Sequence, residues 1–221
     1  MLETVEHETG AAPTWTVLWL HGLGADGNDF APLVPELVRP HWPALRFVFP
    51  HAPVRPVTIN NGMRMRAWYD IVSMDFSNRA DSAGVAESVA QVEELIARED
   101  ARGVPAERLL LAGFSQGGAI TLAAGLRRER PLAGLIGLST YLPELESVAR
   151  WHAPAALRQP LFMAHGQGDP VIPQTYAERT AQTLQALGMP VQWRRYPMAH
   201  QVCAEEIADL GDWMDACLTG N

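Results

Sequence analysis

Residues 14–20 (TWTVLWL), 45–50 (LRFVFP), 109–113 (LLLAG), 132–139 (LAGLIGLS) and 160–166 (PLFMAHG) are apolar with few interruptions. Runs of this length and composition suit strands covered on both faces, as in a parallel sheet. Residues 191–196 (VQWRRY) alternate in polarity instead, which suits a strand nearer a sheet edge. Between these runs the pattern becomes helical. A short helix is expected over 30–38, and an amphipathic one over 81–102, where Val85, Val89, Val92 and Ile96 share a face and Gly103 closes the last turn. Further helices are expected after Ser115, over 173–187 with Pro173 in the first turn, and over 202–218. Alternating strands and helices predict an α/β fold with a mostly parallel central sheet and helices on both faces. Residues 1–13 read as a loose tail and 14–221 as a single domain. The proline- and asparagine-bearing stretch 51–66 reads as an irregular covering loop, ending in a short aromatic segment over 67–71.

In a sheet of this kind, reactive groups collect where strands end at their carboxyl sides. One strand runs into Gly113-Phe114-Ser115-Gln116-Gly117-Gly118, a serine at a strand-to-helix turn whose tight backbone needs small neighbours. A serine hydroxyl needs a base to take its proton during attack. His200, after the last strand, is the candidate; Asp169, after the strand 160–166, is the carboxylate that would orient it. Ser115, Asp169 and His200 follow one another in the order an elbow-type hydrolase requires. His21 and His165 each precede a glycine at a strand end and read as hydrogen-bonded structural histidines. The glycine-rich run His21-Gly22-Leu23-Gly24-Ala25-Asp26-Gly27 follows the first strand. It supplies one donor for an oxyanion hole, the Leu23 N–H, with the Gln116 N–H as the other. Leu23, Trp68, Tyr141 and Val171 are apolar candidates for contact with substrate.

Composition narrows the choice of partner. The chain has 221 residues, is 48% hydrophobic and carries a net charge of −8. That balance disfavours nucleic acid and anionic membrane surfaces, and no apolar run approaches the ~20 residues of a bilayer span. The acidic start lacks the features of a secretory signal, so a cytoplasmic location is expected. Cys203 and Cys217 fall in one helix about 21 Å apart along its axis, beyond disulfide reach. No phosphate-cradle or metal-ligand motif occurs, so no metal and no cofactor is expected.

Taken with Ala52-Pro53, Arg55-Pro56-Val57-Thr58 and Trp68-Tyr69-Asp70-Ile71, these motifs resemble the phospholipase/carboxylesterase family of small α/β-hydrolases, which includes the acyl-protein thioesterases. His165-Gly166-x-x-Asp169-Pro170-Val171, Pro173 and Met198-x-His200 carry the likeness into the carboxyl-terminal third. The resemblance implies a cofactor-free serine esterase without a large lid domain, acting on small acyl esters or thioesters, with Ser115, Asp169 and His200 as its triad. It also implies a homodimer, as among bacterial members. Gln201 stands where many relatives have serine, and Ser139-Thr140-Tyr141-Leu142 replaces the aromatic segment of the eukaryotic thioesterases. A thioesterase, peptidase or lactone hydrolase of the same fold remains as the alternative, with a non-catalytic binding protein as the rival from another class.

Overall fold

The structure, a computed structural model, describes residues 1–76 and 79–220. In chain order its strands are β1 (Thr4–Glu8), β2 (Trp15–Leu20), β3 (Leu45–Pro50), β4 (Val54–Val57), β5 (Met63–Arg66), β6 (Leu109–Phe114), β7 (Gly134–Leu138), β8 (Leu161–Gly166) and β9 (Val191–Tyr196). Its α-helices are α1 (Val34–Leu37), α2 (Ser82–Ala101), α3 (Gln116–Gly125), α4 (Val148–Trp151), α5 (Gln174–Ala186) and α6 (Ala204–Thr219). Seven strands make one sheet in the order β1-β3-β2-β6-β7-β8-β9. All neighbours run parallel except β1, which is antiparallel to β3.

The unbroken apolar runs follow from the sheet's two covered faces. Along β2, Leu18 and Leu20 pack into the core beneath α2, α3 and α5, while Val17 and Trp19 face α1 and α6. In β6, Leu109 and Leu111 take the first side and Leu110 and Ala112 the second. Each such side chain contributes about 1.5–3 kcal/mol on burial, so a polar residue on either face of a central strand is costly. The apolar face of α2 settles on the first side through Val85, Val92, Leu95 and Ile96. Its start is fixed by Asp81, whose carboxylate accepts from the Ala83 and Gly84 N–H groups at 3.1 Å. Its end comes at Gly103, with φ +92°.

Three segments depart from the sequence expectation. Within 1–13, expected as a loose tail, Thr4–Glu8 forms the edge strand β1. Its residues are mostly polar, so hydropathy does not disclose it. Ladder bonds to β3 hold it, with ion pairs from Glu8 to Arg46 at 2.9 Å and from Glu6 to Arg98 and Arg102, both at 2.9 Å. The expected irregular loop 51–66 contains the β4-β5 hairpin instead, pairing Val54 with Arg66 and Val57 with Met63. Asn61 and Gly62, at φ +54° and +72°, turn the chain between the two strands. The prolines that suggest irregularity are compatible with a ribbon of only two strands, where both edges are free. The helix expected over 30–38 is shorter, a 3₁₀ turn over Ala31–Leu33 followed by α1, with Pro32 and Pro35 limiting it.

Candidate active site

The parallel strands bring the loops after β2, β6, β8 and β9 to one edge of the sheet. Ser115 sits between β6 and α3 with φ +54° and ψ −120°, a conformation costly for any residue with a side chain. Its N–H donates to the Leu138 carbonyl at 2.9 Å, and its own carbonyl accepts from the Thr140 hydroxyl at 2.7 Å and the Ala119 N–H at 3.1 Å. Three fixed bonds therefore hold the strained residue. Close approach of α3 to the strands explains the flanking glycines. A Cβ on Gly113 would run into the Gly117 backbone, and one on Gly117 into the carbonyl oxygens of Leu20 and His21.

Asp169 follows β8 and is buried. Its Oδ1 accepts from the N–H groups of Val171 and Ile172 at 2.8 and 2.9 Å, leaving Oδ2 for the His200 Nδ1 at 2.6 Å. Burial pushes the carboxyl up, but the bond from His200 and those from Ile172 and Val171 outweigh it and hold Asp169 below the ordinary carboxylate range. The His200 Nε2 lies 2.9 Å from the Ser115 Oγ. With Nδ1–H committed to the carboxylate, Nε2 is the acceptor for the serine proton. Phe114 lies against the imidazole with ring centroids 4.9 Å apart. The loops carrying acid and base are also locked together, since Gly168 N–H donates to the Met198 carbonyl at 3.1 Å.

Leu23 and Gln116 border the same cavity as Ser115, and neither backbone N–H donates to an acceptor among the described residues. The supports of these amides are what motif spacing did not disclose. The Gln116 carboxamide accepts from the Trp68 N–H at 2.8 Å and donates to the Tyr69 carbonyl at 2.8 Å. The Trp68 indole donates to the His21 carbonyl at 2.9 Å. His21 Nδ1–H donates to the Gly22 carbonyl at 2.7 Å, and its Nε2 accepts from the Ala52 N–H at 3.0 Å. Burial pushes its pKa down and favours the neutral ring that this pattern needs. Trp68, expected to touch substrate, is fully buried and borders no part of the cavity. Its aromatic body is used against His21, with centroids 5.4 Å apart, and thereby supports the glycine-rich loop.

The cavity beside Ser115 measures about 360 Å³. Leu23, Tyr141 and Val171, three of the residues expected to contact substrate, border it; Tyr69, Ile71, Arg79 and Ile172 also do and were not singled out from the sequence. An aromatic or β-branched residue gives no sequence signal that separates pocket wall from core. A second, more open cavity of about 420 Å³ meets the first at Phe114, Asp29 and His200, and continues past Glu36 and Gln201. Among the described residues no group of three or more His, Cys, Asp or Glu side chains is placed to hold a metal ion. Cys203 and Cys217 are both free thiols, and burial pushes the Cys217 thiol up to about 12.

A serine on a strained elbow, an imidazole and a buried carboxylate at the carboxyl edge of a parallel sheet define the α/β-hydrolase class. Comparison with known proteins gives the same result: a family model described as Phospholipase/Carboxylesterase matches residues 3–218. The chain belongs to the phospholipase/carboxylesterase family of α/β-hydrolases. It is 39% identical to acyl-protein thioesterase 1 of Mycosarcoma maydis over 96% of this chain and 94% of that protein. Acyl-protein thioesterase 1 of Neurospora crassa is also 39% identical, over 92% of this chain and 87% of its own length. The crystal structure of Zea mays acyl-protein thioesterase 2 superposes with a TM-score of 0.87 at 26% identity, covering 99% of this chain and 100% of that one.

Proposed function

We propose that this serine hydrolase cleaves carboxylic esters and thioesters through an acyl-serine intermediate, with Ser115 as nucleophile, His200 as general base and acid, and Asp169 as the orienting carboxylate. The observation that carries the assignment is the continuous row from Ser115 Oγ to His200 Nε2 at 2.9 Å and from His200 Nδ1 to Asp169 Oδ2 at 2.6 Å. As Ser115 attacks the acyl carbonyl, its proton passes to Nε2 and the imidazolium forms against the Asp169 carboxylate. The Leu23 and Gln116 N–H groups take the charge that develops on the carbonyl oxygen. His200 then gives the proton to the departing alcohol or thiol, and water activated by the same nitrogen releases the acid.

The two cavities divide the substrate. The smaller one, bounded by Leu23, Gln116 and the apolar walls Ile71 and Val171, receives the acyl group; the open one beyond His200 receives the leaving group. Similarity to acyl-protein thioesterases supports S-acyl groups among the substrates. Within the same reading the protein is a single cytoplasmic hydrolase domain that forms a homodimer. Matched ester, thioester, lactone and amide substrates rank the leaving groups directly. Ser115→Ala lowers kcat on the best of them by about four to six powers of ten with unchanged folding; near-normal turnover by that variant refutes the assignment.

A further inference from the structure

The proposed mechanism has no use for Arg79, although this side chain borders the acyl cavity beside Tyr69, Ile71 and Tyr141 and is only 6% exposed. A guanidinium taken this far out of water ordinarily has a carboxylate partner. Arg79 has none among the described residues: no ion pair or side-chain hydrogen bond is made, and its Nη1 is sealed from solvent without an acceptor. Other arginines show the contrast. Arg55 also buries an unbonded nitrogen, its Nε, yet its Nη1 pairs with Glu87 at 3.3 Å, and Arg98 pairs with Glu6 at 2.9 Å.

Aromatic rings hold the Arg79 guanidinium in place. Its carbon lies 4.3 Å from the Phe76 ring centroid. Phe76 is itself stacked on Tyr176 at 4.3 Å and packed edge-on against Tyr141 at 5.2 Å. A ring face stabilises the charge but accepts none of the five guanidinium N–H donors directionally. The Tyr69 and Tyr141 hydroxyls stand 3.3 Å apart on the same wall. Burial pushes both phenols up, so they stay neutral and offer no countercharge. The result is a fixed, desolvated cation with unused donors on the wall of a cavity that Asp29 borders where it meets the open one, a geometry suited to a carboxylate.

We propose that Arg79 forms an anion-binding subsite in the acyl half of the cavity, and that the preferred acyl group ends in a carboxylate, as in half-esters or half-thioesters of dicarboxylic acids. The proposal rests on the acyl-serine reading above, which assigns this cavity to the acyl group. A substrate carboxylate would pair with the guanidinium while its ester carbonyl lies at Ser115. A neutral acyl chain of equal length would leave the cation unpaired.

The test compares kcat/KM for monoethyl succinate, glutarate and adipate with ethyl esters of the neutral monocarboxylic acids of equal length. Wild type, Arg79→Gln and Arg79→Lys are each assayed. The charged-to-neutral ratio falls about ten- to a hundred-fold in Arg79→Gln, chiefly through KM, and recovers in part in Arg79→Lys. A ratio unchanged in Arg79→Gln overturns the subsite. So does a loss confined to esters whose anion is a phosphate on the alcohol, because that places the cation on the leaving-group side. Product inhibition of the wild type needs no variant: glutarate inhibits at least ten-fold more strongly than pentanoate, and equal inhibition overturns the proposal. Turnover of the neutral esters, together with fluorophosphonate labelling of Ser115, shows that the acyl-serine reading stands even when the Arg79 subsite fails. Absence of both turnover and labelling removes the reading itself.

Discussion

Replacing Asp169 by Asn tests the role of the buried carboxylate without changing its shape. Oδ1 is fixed as an acceptor by the N–H groups of Val171 and Ile172 at 2.8 and 2.9 Å. An asparagine at this position keeps its carbonyl oxygen there and must turn its amide nitrogen toward the His200 Nδ1, which Oδ2 faces at 2.6 Å. An amide donor aimed at Nδ1 makes that nitrogen the acceptor and moves the proton to Nε2. Nε2 lies 2.9 Å from the Ser115 Oγ and must be unprotonated to receive the serine proton. The ring is held in the wrong tautomer, and no negative charge remains to stabilise the imidazolium. The expected loss in kcat is about 10⁴-fold, or roughly 5 kcal/mol of transition-state stabilisation. Because both loop hydrogen bonds survive, the melting temperature stays near that of wild type. Initial rates on a short-chain nitrophenyl ester, with thermal unfolding as the control, give the comparison. A folded Asp169→Asn variant within ten-fold of the wild-type kcat refutes the tautomer argument.

Two further outcomes concern stability. Glu99 is fully buried, bound by the Thr16 hydroxyl at 2.9 Å, Arg46 at 3.0 Å and Arg102 at 3.0 Å. Glu99→Leu takes the buried partner from Arg46, which keeps only its pairing with the more exposed Glu8, and lowers stability by about 3–5 kcal/mol, a fall of roughly 10 °C in Tm by calorimetry; an unchanged Tm contradicts the paired role. Glu206 is buried, and burial, only partly offset by the approach of the Cys203 backbone N–H, pushes its pKa up to about 8 from 4.5. Between those pH values the folded state holds a proton that the unfolded state has released, so stability falls as pH rises from 4.5 to 8 and then levels. Relative to Glu206→Gln, the wild type loses up to roughly 5 kcal/mol across that window. Denaturant unfolding at several pH values checks it, and parallel profiles for the two proteins refute the buried-acid account.

The sheet was legible because hydrophobicity on both faces leaves an unambiguous mark: Leu109, Leu110, Leu111 and Ala112 are all fully buried, on alternate sides. The candidate site was legible because strand ends at a parallel edge converge, so Ser115, Asp169 and His200, distant in sequence, could be sought in three definite places. Elements held by polar forces were not. β1 is fastened by ion pairs between Glu6 and Glu8 and arginines of α2 and β3, and such pairs have no periodicity to read. Trp68 and Tyr69 are adjacent aromatics with opposite fates. The first supports the glycine-rich loop through its indole N–H and the second walls the cavity, a distinction made by hydrogen bonds to His21 and Gln116. Arg79 escaped notice because its significance is the absence of a carboxylate partner among the described residues, which only the packed structure reveals.

The central claim is that Ser115 carries the acyl group during turnover. Rapid quenching of the wild-type enzyme with a slowly deacylating nitrophenyl ester, followed by peptide mass spectrometry, tests it most directly. The account predicts one acyl adduct per chain on the peptide containing Ser115, formed with a stoichiometric burst of nitrophenol and missing from Ser115→Ala. Turnover with no adduct under burst conditions, or an adduct on another residue that persists in Ser115→Ala, contradicts it.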